Sequence, residues 1–188
     1  TAHAVLQAEE ALQGVTGEVL VLNGDVPLLS DELVERLLAT HTKARAVATV
    51  VTTRLANPTG YGRVLRDSRG AFRGIVEEVE ATAAQRRVQE INTGIYCFSL
   101  PRVFAALHRV RPSAVKGELY LPEVLPILMK ARGRIATVLA EDSREVLGIN
   151  TRADLAEAYG ILRRRVVERL MESGVTWLDP ATTHVSVL

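Results

Sequence analysis

The chain has 188 residues, of which 47% are hydrophobic, with 23 basic and 22 acidic side chains and a net charge of +1. That length and apolar content exclude a disordered chain and suit one domain with a substantial core. The near-neutral charge supplies no field to hold nucleic acid or anionic lipid, so a small-molecule ligand is expected, with no nucleic acid and no membrane. Cys97 is the single cysteine. It forms no intrachain disulfide, and its apolar neighbours Ile95, Tyr96 and Phe98 mark it as packed, not reactive. His3, His41, His108 and His184 lack ligand spacing, which argues against zinc. No stretch approaches membrane-spanning length and no basic-then-apolar leader opens the chain, so a cytoplasmic location is expected. The start, without methionine and inside an apparent helix, reads as a piece of a longer chain.

Composition favours a helix over 4–13, stopped by Gly14 and Gly17. Residues 19–22 are an unbroken apolar run and read as a strand covered on both faces. Asn23, Gly24 and Asp25 follow it, at the carboxyl end where open parallel sheets place their ligands. Asp25 reads equally as a ligand-facing carboxylate or as the close of a strand-to-helix turn. Ser30 caps the next helix, with Asp31 and Glu32 in its first turn and Leu33, Val34, Leu37 and Leu38 as its apolar face. A Val- and Thr-rich strand over 46–53 completes a strand-helix-strand crossover unit.

The loop 57–63 carries Gly60 and Gly62 around Tyr61, suited either to laying backbone against a base or sugar or to plain turn chemistry. Residues 64–66 and 72–77 then form a hairpin about a turn at 67–70. Glu77 stands at the end of an apolar strand, at the head of an acidic run that otherwise reads as a solvated face, and residues 81–87 make a short helix or extended arm. Asn92, before Thr93 and Gly94, offers acceptor and donors to a sugar or amide, or belongs to a bulge or turn; a strand follows over 95–98. Helices are expected after Pro101 and from 117 onward, then a strand over 135–140. Asn150, after Gly148 and Ile149, is a second polar residue at an apolar segment's end, or else a helix cap. A long helix covers 152–172, with Arg163, Arg164 and Arg165 on a solvated face, and residues 175–180 begin something new. Alternating strands and helices with one inserted hairpin imply a three-layer α/β fold.

Together the stations 23–28, 57–63, 75–78, 90–94, 117–120 and 148–150 resemble, in order and spacing, the pyrophosphorylase domain of the bacterial N-acetylglucosamine-1-phosphate uridylyltransferases. These are bifunctional enzymes that also acetylate glucosamine-1-phosphate. The resemblance runs through essentially the whole chain. It implies the nucleotide-diphospho-sugar transferase fold, a Rossmann-like mixed and mainly parallel sheet with an inserted hairpin, truncated at its N-terminus. It further implies a partial transferase domain over 1–174 and a passage toward a left-handed β-helix over 175–188.

By that resemblance Asp25 and Asn150 hold Mg2+, Thr1, Asn23 and Gly24 contact the nucleotide, and Gly62, Glu77 and Asn92 hold the sugar. Magnesium needs only one or two protein ligands beside water and phosphate oxygens, which an Asp and an Asn satisfy. The implied reaction joins UTP and N-acetylglucosamine-1-phosphate into UDP-N-acetylglucosamine and pyrophosphate, for cell-wall and lipopolysaccharide synthesis, in a parent expected to be a homotrimer. No residue of this chain is assigned a catalytic role. The chain departs from the family at Val79, where a lysine is expected. The family's glycine-rich phosphate loop falls upstream of Thr1, so the chain alone is expected to be poorly active. The alternatives are another sugar-nucleotide or cytidylyl transferase on this fold, or an inactive nucleotide-binding fragment.

Overall fold

In the computed structural model, which describes residues 1–113, 115 and 117–185, the expected first helix is broken. Helix α1 covers only Ala2–Leu6, followed by a 3-10 turn at Glu10–Leu12. So short a segment stays helical only where it packs. Packing acts on its first turn, where Ala2 is fully buried and its N–H meets the Leu119 carbonyl at 2.9 Å.

Strand β1 (Gly17–Val21) leads through residues 23–30 to α2 (Asp31–Ala44), then β2 (Ala48–Arg54). The Ser30 hydroxyl accepts the Leu33 N–H at 3.2 Å, so the expected cap forms. The hairpin is β3 (Arg63–Arg66) and β4 (Phe72–Val76), followed by the single-turn helix α3 (Ala83–Arg86) in a Thr82–Gln85 capping box. Strand β5 (Glu90–Leu100) is much longer than the expected 95–98, and precedes α4 (Arg102–Leu107) and α5 (Val124–Lys130). Strand β6 (Ile135–Leu139) and α6 (Arg152–Glu172) complete the described chain. The last three residues of the expected passage 175–188 lie outside the described residues.

The strands form one six-stranded sheet in the order β4-β3-β5-β2-β6, with β1 on β5. β1, β2 and β3 all run antiparallel to β5, and β2 pairs in parallel with β6. The sheet is therefore mixed. β1, β2, β3 and β6 share one direction, but the expected dominance of parallel ladders reduces to β2–β6, because β5 intervenes between β1 and β2.

The strand covered on both faces is β2, whose residues from Ala48 to Thr53 are all buried. β1 was expected in that role. It is half-buried instead, with Leu22 beyond it 46% exposed, because its one ladder among the described residues is to β5.

Alternation along β5 and β2 divides the core between the two faces of the sheet. Tyr96, Phe98 and Val50 meet α1, α4 and α5 through Ala2, Val103, Phe104, Leu107, Val124 and Leu125. Ile95, Cys97 and Val51 meet Leu33 and Leu37 of α2 and Val138 and Val146 beyond β2. Helix, sheet and helix make the three layers. Burial pushes the Cys97 thiol up to about 11, so it is packed and unreactive as expected. A third cluster, Leu28 with Ala158 and Ile161, fastens α6 to the turn after β1. Arg165 reinforces that junction by donating to the Leu28 carbonyl at 2.9 Å, which corrects the expectation that it only faces solvent. Among the described residues no helix is long and apolar enough to cross a membrane.

One buried polar group makes the α2 packing sensitive to acid. His41 is 2% exposed, with Nδ1 2.9 Å from the Thr49 hydroxyl and Nε2 3.1 Å from that of Ser99. Burial lowers its pKa from the usual 6.5, against a weaker upward pull from Glu18. The unfolded chain thus takes up a proton that the folded chain refuses, so stability is full above pH 6.5 and is lost as pH falls toward the folded value. Urea unfolding of the wild type should show a midpoint that declines as pH is lowered through this window. A folded His41→Gln variant should show a shallower decline, and equal slopes would remove His41 as the cause.

Candidate active site

Three of the expected sugar-side residues are gathered by strand register. Arg63 on β3 lies opposite Val76 on β4 and Ile91 on β5. Gly62, Glu77 and Asn92 each neighbour one member of that trio in the chain, so the ladder brings them to one edge. The Asn92 N–H donates to the Gly62 carbonyl at 2.9 Å. A Cβ on Gly62 would sit 3.3 Å from Glu77 Oε1 and 3.1 Å from Ile75 Cγ2, so the carboxylate rests close over a bare α-carbon. Glu77 is half-buried.

The Asn92 side chain is held in place from inside. Its oxygen accepts the Tyr96 hydroxyl at 2.8 Å and the Gly94 N–H at 3.2 Å. Residues 92–94 form a bulge in β5, where the register with β2 shifts between Val50 and Thr52 and Gly94 takes φ 81°. The sequence left bulge and ligand contact open for this segment. The structure makes it a bulge, and that bulge joins the two halves of the site.

Asn23 lies on it. Its amide donates to the Thr93 carbonyl at 2.9 Å, and a Cβ on Gly94 would fall 2.7 Å from Asn23 Nδ2. Gly94 therefore permits both a left-handed backbone and a close side-chain approach that another residue would block. Asn23, Gly24 and Asp25 are exposed beyond the end of β1.

Asp25 meets Asn150 through the intervening backbone. The Ile149 N–H donates to the Asp25 carbonyl at 2.9 Å, and a Cβ on Gly148 would fall 2.6 Å from Asp25 Oδ2. The carboxylate thus occupies space that only glycine leaves at 148. Asn150 is not the cap of α6. Thr151 is, in a box with Asp154, whose carboxylate accepts the N–H groups of Asn150 and Thr151 at 3.0 and 2.8 Å. The Asn150 side-chain nitrogen donates to the Gly148 carbonyl at 3.3 Å, which directs its oxygen to other partners.

Tyr61 connects the two sides. With Leu28, Gly148, Asn150 and Asp154 it lines a cavity of about 230 Å³. Burial, then the charges of Asp154 and Asp25, raise its hydroxyl pKa and keep it protonated. On the other flank, Tyr120 is raised by desolvation, Glu118, Glu77 and Glu80. Carboxylates thus act on a tyrosine on each flank, and Arg144 also lines the Tyr61 cavity.

Thr1 is engaged apart from Asn23 and Gly24. Its nitrogen donates to the Leu119 carbonyl at 3.0 Å and its hydroxyl accepts the Leu121 N–H at 2.9 Å. Those bonds place it on the segment that carries Tyr120. Val79 follows Glu78 and is 43% exposed. Reading the residues singly missed Gly94, Gly148, Tyr61 and Arg63 as parts of this arrangement. The glycines lie inside the recognised stations; Arg63 heads an apolar strand, where a cation is ordinarily read as solvated.

The nucleotidyl transferase family matches residues 1–180. The chain is 48% identical over 98% of its length to the bifunctional protein GlmU of Syntrophotalea carbinolica and 49% identical to that of Pelotomaculum thermopropionicum. It spans about 40% of the length of these curated relatives. Among solved structures, a glucose-1-phosphate thymidylyltransferase from Bacillus anthracis superposes with a TM-score of 0.62 at 18% identity, covering 96% of this chain and 64% of that one. An apo UDP-glucose pyrophosphorylase does so with a TM-score of 0.60 at 19% identity, covering 74% and 52%. The fold is theirs, and the match over residues 1–180 decides the family: the chain belongs to the nucleotidyl transferases.

Proposed function

We propose that this chain forms the sugar and metal side of a uridylyltransferase that makes UDP-N-acetylglucosamine and pyrophosphate from UTP and N-acetylglucosamine-1-phosphate. The observation that carries this reading is the continuous edge from Asp25 and Asn23, across the Gly94 bulge, to Asn92, Gly62 and Glu77. Identity near one half to two proteins called GlmU supports the choice of sugar nucleotide.

In this reading Glu77 accepts from sugar hydroxyls, Gly62 offers backbone at close range, and Asn92, fixed by Tyr96, orients the acyl-amino group. Asn23 and Gly24 bear on the nucleotide. Asp25 and the oxygen of Asn150 fit a hard cation: one exposed carboxylate and one amide oxygen, held together through Gly148 and Ile149. Bound Mg2+ would supply charge neutralisation for the phosphates of UTP and the leaving pyrophosphate. Asp25 and Asn150 hold position, while Tyr61 remains a protonated donor beside them. The work of these residues is placement and electrostatics, the main needs of phosphoryl transfer.

We further read residues 1–174 as the transferase unit, since α6 ends at Glu172 and Gly174 turns with φ 100°. Leu178 beyond it is 102% exposed, and the chain then lies back along α6, where His184 meets the Tyr159 hydroxyl at 2.7 Å; we read this stretch as the passage toward a second domain in a bifunctional parent. A nucleoside triphosphate substrate and a single unpaired thiol suit the cytoplasm.

Calorimetric titration of UDP-N-acetylglucosamine tests the site. Binding should require Mg2+ and be lost in a folded Asp25→Asn variant; metal-independent binding, or binding unchanged in the variant, would overturn the metal assignment. Gly148→Ala tests the same contact without altering charge. Its Cβ displaces the Asp25 carboxylate, so Mg2+-dependent affinity should fall about tenfold or more while the thermal midpoint moves only slightly. Unchanged affinity would mean that Asp25 acts from some other position.

A further inference from the structure

Arg63 has the largest of the fully buried side chains, 2% exposed. A guanidinium stays charged inside a protein, and its burial is tolerated only where its donors meet acceptors. Here each donor reaches a different part of the chain. Nη1 donates to the Tyr61 carbonyl, Nε to the Arg86 carbonyl at 3.3 Å, and Nη2 to Glu78 Oε2 at 3.3 Å. The same Glu78 oxygen accepts the Gly60 N–H, and Arg86 Nε donates to the Glu78 carbonyl at 3.3 Å. One cation thereby ties the loop before β3, the corner after β4 and the end of α3.

Each tied segment runs into a residue of the sugar edge. Gly62 lies between Tyr61 and Arg63, Glu77 precedes Glu78, and the chain leaving α3 enters β5 just ahead of Asn92. The clearance between Gly62 and the Glu77 carboxylate is narrow, as the 3.3 Å approach shows. A small shift of the loop against the corner would close or open it. The side chain of Arg63 is sealed inside, whereas Glu78 is 28% exposed.

We propose that Arg63, acting through Glu78, is a positioning residue for the sugar phosphate. It sets the spacing between the Gly62 backbone and the Glu77 carboxylate, and so controls affinity for the acceptor but not for the nucleotide. This inference rests on the function proposed above. A buried arginine that merely held the hairpin would act on stability and on both substrates alike.

Steady-state kinetics of the whole protein containing this chain, with UTP and N-acetylglucosamine-1-phosphate, separate the two. Wild type, Glu78→Gln and Arg63→Lys are compared, with thermal midpoints and amide exchange at Gly60. Glu78→Gln, altered at the accessible end of the link, should fold. It should raise KM for the sugar phosphate about tenfold, leave KM for UTP within about twofold, and speed exchange at Gly60. Arg63→Lys keeps the charge without the planar fork and should move the same KM further.

Equal changes in both KM values, or a fall in kcat that only tracks the thermal midpoint, would overturn the proposal. So would faster exchange at Gly60 with both KM values unchanged. A wild type that uses a different sugar 1-phosphate would refute the proposed function alone, since the same KM split is then read with that acceptor. No turnover of any sugar 1-phosphate by the wild type would overturn both.

Discussion

The pairing of β5 with strands on both of its edges is the constraint on which the rest of the structure depends. β5 lies against β2 along one edge and against β1 and then β3 along the other. Two strands can share an edge only if the shared strand is long enough to serve both, and the eleven residues of β5 do so. Its bulge separates the stretch that serves β1 from the stretch that meets β3. A strand of regular register would have no irregularity at which to lodge Asn23. The bulge is therefore both a sheet feature and the joint between the Asp25 side and the Glu77 side of the candidate site.

Glycine works differently at the two closest approaches. At Gly94 a left-handed backbone and a crowding side chain coincide, so the residue is required twice over. At Gly148 the backbone is unremarkable in φ, and only the Asp25 carboxylate excludes a side chain. The first glycine serves the fold and the site together. The second serves the placement of one carboxylate.

What could be read from the sequence was local. The span of helix α6 was legible, with Ser173 and Gly174 at its end, but its cap proved to be Thr151 in a box with Asp154, one residue after the Asn150 offered for that role. The hairpin was equally plain from its turn residues. The Ser30 cap and the packing of Leu33 and Leu37 also followed from short-range pattern. The failures were long-range. The apolar run of β1 suggested a central strand, yet an apolar run cannot report how many ladders it will join. The length of β5 was hidden because Asn92, Thr93 and Gly94 look like a turn, and only pairing with β2 and β3 keeps them in the strand. Arg165 was read as solvated, and Arg63 was given no role, for want of knowing which carbonyls would face them. The candidate residues stood out as a set of stations, and the long-range contacts among them did not, since those contacts join segments far apart in the chain.

The box at the head of α6 has one consequence for how charge is shared. A helix of 21 residues presents a partial positive charge at its first turn, a natural seat for an incoming phosphate. Here Asp154 already sets its own carboxylate at that seat, bonded to the N–H of the cap Thr151 and to that of Asn150 just before it. An anion approaching this helix end meets a carboxylate held there by backbone hydrogen bonds. α6 thus serves as a post whose first turn fixes the Asn150 backbone, with its own negative charge seated where a helix otherwise offers a positive one.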